Sequence, residues 1–120
     1  MMEGKTFRIL IDGRDYDVEL AINKTSDDIA RMLPLRLFMQ VYSDIEYYAE
    51  LPDKPFFDEK VAITQAEKNA LMYCREYNAL VVVCRDHRDI FREVPVGKII
   101  GGSSWFDSNM PTVSIELIEV

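Results

Sequence analysis

The run Ala79-Leu80-Val81-Val82-Val83-Cys84 constrains this chain more than any other stretch. Its branched side chains suit a pleated sheet, and no polar residue alternates within it, so neither face of a strand built from it is left in water. Charge stops the run on both sides, with Arg75 and Glu76 before it and Arg85 and Asp86 after. It reads as a central strand, buried on both faces, around which the other strands close.

The strands that would close around it are visible as alternation. From Thr6 to Asp12, Phe7, Ile9 and Ile11 face one way and Thr6, Arg8 and Asp12 the other; Asp15 to Ile22 repeats the pattern with Tyr16, Val18, Leu20 and Ile22. The Asp12-Gly13 pair between them supplies the positive backbone angles of a tight hairpin. Asn23 to Leu33 then predicts a short helix. Thr25 or Ser26 caps it, Asp27 and Asp28 favour its N-terminal end, and Ile29, Met32 and Leu33 share a face that plugs an open end. Pro34 ends it.

Leu35 to Tyr42 resumes alternation, Ser43-Asp44 turns, and Ile45 to Leu51 reads as another strand. Pro52 to Lys60 is an irregular link and Val61 to Gln65 a short strand. Ala70 to Glu76 and the central run form a hairpin through Tyr77-Asn78. Arg85 to Asp89 reads as a charged, exposed loop, Val94 to Gly102 as a strand with glycines at close approaches or bends, Ser103 to Pro111 as a loop, and Thr112 to Val120 as the closing strand with Val113, Ile115 and Leu117 inward. About eight short strands with one helix make an all-β, closed antiparallel β-barrel the simplest account, since closure removes exposed edges. No repeat or linker interrupts residues 1–120, which predicts one domain.

Composition excludes several function classes. With 21 acidic and 14 basic residues the net charge is -7, which repels phosphate backbones and anionic membranes. No run is long enough to span a bilayer, and Met1 to Lys5 carries no export signal, so a cytoplasmic location is expected. Two cysteines, Cys74 and Cys84, read as free buried thiols. One histidine and no CxxC predict no metal site, and nothing calls for a cofactor.

The order strand, Asp-Gly hairpin, strand, then Asn23-Lys24-Thr25-Ser26-Asp27-Asp28-Ile29-Ala30-Arg31-Met32-Leu33 resembles the opening of cyclophilins, where a capped helix covers one barrel mouth. Val96-Gly97-Lys98-Ile99-Ile100-Gly101-Gly102 is similar to their late Gly-Lys-Val-x-x-Gly strand. Leu33-Pro34 running directly into an alternating strand is closer to the small cyclophilin-like proteins of bacteria and archaea, a family of unassigned function. The resemblance implies a cyclophilin-like barrel, and makes Arg36 the only residue placed like the catalytic arginine of the prolyl isomerases. The Phe-His-Arg and Gln-Gly-Gly motifs of those enzymes are missing, and Glu67-Lys68-Asn69 stands where the small family commonly shows Gly-Asp. The resemblance supports the fold and weakens isomerase activity.

The candidate site residues are Arg36, Phe38, Tyr42, Tyr47, Tyr73 and Trp105. Arg36 either donates to a substrate carbonyl or pairs with a surface carboxylate. Phe38 and Tyr42 share its strand face, so the three outline a groove for a peptide segment or small molecule; Tyr47, Tyr48, Tyr73 and Tyr77 either join it or pack beneath loops. Trp105 is a binding anchor or a cover over one barrel end. His87, in its charged loop, lacks the neighbours a catalytic base requires. The reading is a non-catalytic binding module without cofactor or metal. A peptidyl-prolyl cis-trans isomerase with a substituted active site is the alternative, and a homodimer that consumes the aromatics is the third.

Overall fold

Alternation and left-handed turn residues generate the strands, as the computed structural model shows over residues 7–100 and 110–119. In chain order these are β1 (Phe7–Ile11), β2 (Arg14–Leu20), helix α1 (Lys24–Ala30), β3 (Leu35–Tyr42), β4 (Glu46–Glu50), a 3-10 turn (Glu59–Val61), β5 (Ile63–Ala66), β6 (Ala70–Cys74), β7 (Ala79–Val83), β8 (His87–Ile100) and β9 (Thr112–Glu119). Asp12 and Gly13 sit at φ +49° and +84°, and Ser43 and Asp44 at +51° and +58°. Such paired left-handed residues match the twist of the strands they join.

Eight strands close into a ring in the order β2-β1-β9-β3-β4-β7-β6-β8, sealed where Leu20 of β2 pairs with Gly97 of β8. The neighbouring strands run antiparallel. The closed, mostly-β architecture with one short helix expected from the sequence is the one adopted. Gly97 is required at the seal: a Cβ there would lie 2.8 Å from the Glu19 carbonyl oxygen.

β7 is buried along its whole length, as its uninterrupted apolar run predicts. Leu80 and Val82 point into the ring with Leu71 and Tyr73 of β6, while Val81 and Val83 point outward with Met72 and Cys74. The outward face is dry because β5 and the first half of β8 fold over it, adding Ala66 and Phe91 to this second cluster. The ninth strand, β5, thus lies outside the ring and pairs with β8.

Three expectations are corrected. The helix is capped by Asn23, whose Oδ1 accepts from the Ser26 amide at 2.8 Å. Thr25 and Ser26 are buried instead, their hydroxyls donating to the carbonyls of Phe56 and Val96 at 2.6 and 2.9 Å. Those bonds tie the helix to the 52–58 link and to β8, and bury Ile29 in the ring's core. Residues 85–89 are not all exposed loop: β8 begins at His87, and His87 and Asp89 are mostly buried. The late strand therefore starts seven residues before Val94, because the extra length covers the outer face of β7. The expectations placed on Gly101, Gly102 and Trp105 fall outside the described residues. Among the described residues no helix is long and apolar enough to cross a membrane.

Candidate functional site

The first half of β8 alternates His87, Asp89, Phe91 and Glu93 inward with Arg88, Ile90 and Arg92 outward. Its inward face meets the outer face of the β6–β7 hairpin, and the two leave a concavity of about 200 Å³ between them. Buried Glu46, Glu93, Cys74, Ala79 and Val81 form the floor, and exposed Tyr42, Tyr77 and Ile90 form the rim. Tyr77 meets Phe91 edge-on, with ring centroids 5.9 Å apart, which ties the hairpin turn to β8.

His87 is fixed from two sides. β5 holds its backbone through the pairing with Ala66, and its ring Nδ1 lies 2.7 Å from the Arg85 carbonyl oxygen. A carbonyl only accepts, so Nδ1 carries a proton, and the other ring nitrogen, Nε2, is turned toward two carboxylates. Nε2 is 3.2 Å from Glu46 Oε1 and 3.5 Å from Asp89 Oδ1. The shorter contact has the length of an ion pair without the alignment of a hydrogen bond, and Nε2 has no hydrogen-bond partner. Glu93 stands beside Asp89, is 3% exposed, and leaves its Oε1 without a partner.

Electrostatics follow from this crowding. Burial, with the charge of Asp89 added, pushes the Glu46 carboxyl up to about 7 against the pull of His87. Burial and the charges of Asp89 and Glu46 push Glu93 up to about 8. The neighbouring arginines give no relief: Arg85 Nε donates to the Asp44 carbonyl and Arg88 to Thr64 Oγ1. Chemically, the arrangement can take up a cation, or hold and release a proton near neutrality. Burial pushes both thiols, Cys74 and Cys84, up to about 12, so neither is a ready nucleophile.

The sequence-derived candidates divide among several places. Arg36 and Phe38 line a broad, open depression with Gly13 and Glu116, where Arg36 Nε bonds Glu116 Oε2 at 3.0 Å. Tyr42, at the far end of the same strand, lies on the rim of the acidic concavity instead. Tyr47 and Tyr73 are core residues 2% exposed, their hydroxyls donating to the Met110 carbonyl and to Asn78 Oδ1 at 2.6 and 2.7 Å. Trp105 lies outside the described residues. The aromatics thus do not form one groove. Sequence reasoning passed over Glu46, Asp89 and Glu93: the period-two spacing of His87, Asp89, Phe91 and Glu93 puts those four on one strand face, but nothing in the sequence ties that face to Glu46.

The sequence model of the cyclophilin-like family matches residues 9–116. The chain belongs to the cyclophilin-like family. No curated protein sequence matches this cyclophilin-like chain. Among solved structures it is similar to the hypothetical protein AF2241 from Archaeoglobus fulgidus, at 15% identity and a TM-score of 0.63, covering 97% of this chain and 95% of that one. It is also similar to McbB, solved in complex with tryptophan, at 9% identity and a TM-score of 0.63, covering 93% of this chain but 44% of that one. At these identities the likeness shows the fold that the cyclophilin-like chain shares with both.

Proposed function

We propose that this cyclophilin-like chain is a non-catalytic binding module whose ligand presents positive charge to the concavity between β4, the β6–β7 hairpin and the start of β8. The observation that carries this is the convergence of Glu46 and Asp89 on a single imidazole, with Glu93 buried beside Asp89. Buried carboxylates without full partners are costly, and a cation relieves them. The aromatic rim adds selectivity, since Tyr42, Tyr77 and Phe91 offer ring faces suited to an ammonium group. The volume suits an amine or one basic side chain of a peptide segment. McbB, on the same fold, has been solved with tryptophan, a molecule carrying both a ring and an ammonium group, which supports this class of ligand.

The isomerase alternative depends on Arg36, and its pairing with Glu116 on an open surface lends that reading no support. We take the cytoplasm as the working place, supported by two free thiols, and nucleic acid as an unfavoured partner, supported by the charge of -7.

The test is an NMR titration of amide-labelled protein in EDTA with phenethylamine and with its uncharged counterpart 2-phenylethanol. The amine is expected to move the amides of Tyr42, Tyr77, Asp89 and Phe91 and to bind at least tenfold more tightly than the alcohol. Equal binding of the two, or shifts confined to Arg36 and Phe38, overturns the reading.

A further inference from the structure

We propose that Glu46, His87 and Asp89 bind a divalent first-row metal cation, with zinc or manganese as the fitting class. The inference deepens the cation-binding reading and rests on it, since it names which positive charge the acidic floor takes.

Geometry carries it. Glu46 Oε1, His87 Nε2 and Asp89 Oδ1 lie within 4.8 Å of one another. The nitrogen stands 3.2 and 3.5 Å from the two oxygens. Ligands bound at about 2.1 Å to one ion are separated by about 3.0 Å in octahedral and about 3.4 Å in tetrahedral arrangement. Both nitrogen–oxygen distances are therefore those of donors around a shared ion.

The histidine is also prepared as a ligand. Metal-bound imidazoles almost always give their other ring N–H to a carbonyl or carboxylate, which fixes the ring and its tautomer. His87 does this through Nδ1 and the Arg85 carbonyl. That leaves Nε2 facing carboxylate oxygens, with no hydrogen-bond partner of its own. A metal ion at this point takes the place that a proton on Nε2 would hold between the nitrogen and the carboxylate oxygens.

A second observation points the same way. Glu93, 97% removed from solvent, borders the same concavity beside Asp89 and keeps Oε1 unpartnered. Its position suits a carboxylate that steadies Asp89 and adds negative charge behind the ion. One imidazole with carboxylates favours zinc or manganese over magnesium, which prefers oxygen donors and keeps its water. Glu46 and Asp89 also line the concavity, from which a water or a donor atom of a bound molecule would complete the sphere.

The single histidine makes the test direct. Untagged protein, stripped with EDTA and dialysed, is titrated with zinc by calorimetry and by nitrogen-15 NMR of the imidazole. One zinc per chain is expected, with micromolar or tighter affinity, a shift of the Nε2 resonance and retention of the Nδ1 proton. His87→Gln and Asp89→Asn should each weaken zinc at least tenfold, with folding checked by circular dichroism. The unmutated imidazole signal decides the matter if either variant unfolds. No one-to-one binding tighter than millimolar, an unmoved Nε2, or magnesium binding as tightly as zinc overturns the metal. If phenethylamine binds while zinc does not, the cation-binding reading stands and the metal falls. If neither binds, both fall.

Discussion

Replacing Glu93 with glutamine removes a buried charge at nearly constant shape, and its effect on stability can be worked out beforehand. Glu93 is 3% exposed and faces Asp89 on its own strand, Glu46 on β4 and Cys74 on β6. Its carboxyl ionises near 4.5 when free of these surroundings and is pushed up to about 8 within them, by burial first and by the two carboxylates after. A folded-state value above the unfolded one sets the sign. The contribution to stability is whole below about pH 4.5, declines as pH rises, and is lost by about pH 8. The slope is at most about 1.4 kcal/mol per pH unit, so the ceiling between pH 5 and 8 is about 4 kcal/mol. Glu46, pushed up to about 7, shares the same titration, which leaves on the order of 2 kcal/mol to Glu93. Glutamine mimics the protonated acid. In EDTA, Glu93→Gln should match the parent near pH 5 and exceed it by about 2 kcal/mol near pH 8, or on the order of 8 °C in Tm. Urea unfolding followed by circular dichroism measures both. Parallel pH curves for the two proteins, or a variant less stable near pH 8, would refute the reasoning.

Gly97→Ala, which drives a Cβ to 2.8 Å from the Glu19 carbonyl, should cost about 2–3 kcal/mol in urea unfolding by straining the β2–β8 seal. Leu80→Ala should cost about 3 kcal/mol by leaving a cavity inside the ring, whereas Phe38→Ala, at a side chain 65% exposed, should stay within about 0.5 kcal/mol. Arg36→Ala breaks an exposed ion pair with Glu116 and should change stability by under about 0.5 kcal/mol while leaving amine and zinc titrations unmoved. Cys74 and Cys84 should resist a chromogenic disulfide reagent near pH 8 in the folded protein and react fully in denaturant, as absorbance would record.

The ring was legible because its strands obey local rules. Phe7, Ile9 and Ile11 alternate, Asp12-Gly13 turns, and the uniformly apolar run of β7 announces burial on two sides. Which element covers the second side was not legible. Arg85-Asp86-His87-Arg88-Asp89 looks like a solvated loop by charge, and only tertiary pairing with β5 makes its alternate residues face inward. The site was missed for the same reason. Arg36, Phe38 and Tyr42 do share a face, but the strand carries Tyr42 away from the other two and into a different depression. Tyr47 and Tyr73 look like groove residues by type, and burial with satisfied hydroxyls makes them core. Carboxylates scattered over β4 and β8 give no sign of meeting until the sheet brings them together.

The fourteen-residue β8 has a kinetic corollary. Its latter half is welded into the eight-strand closure by β6 and β2, whereas its first half is held by little more than short β5 and a small apolar cluster. Breathing of that first half needs only a minor share of the molecule's cohesion. Amide exchange should therefore fall into two tiers along one continuous strand, quick from His87 to Phe91 and slow from Val94 to Ile99, and whatever enters beneath the quick tier should slow it without touching the other.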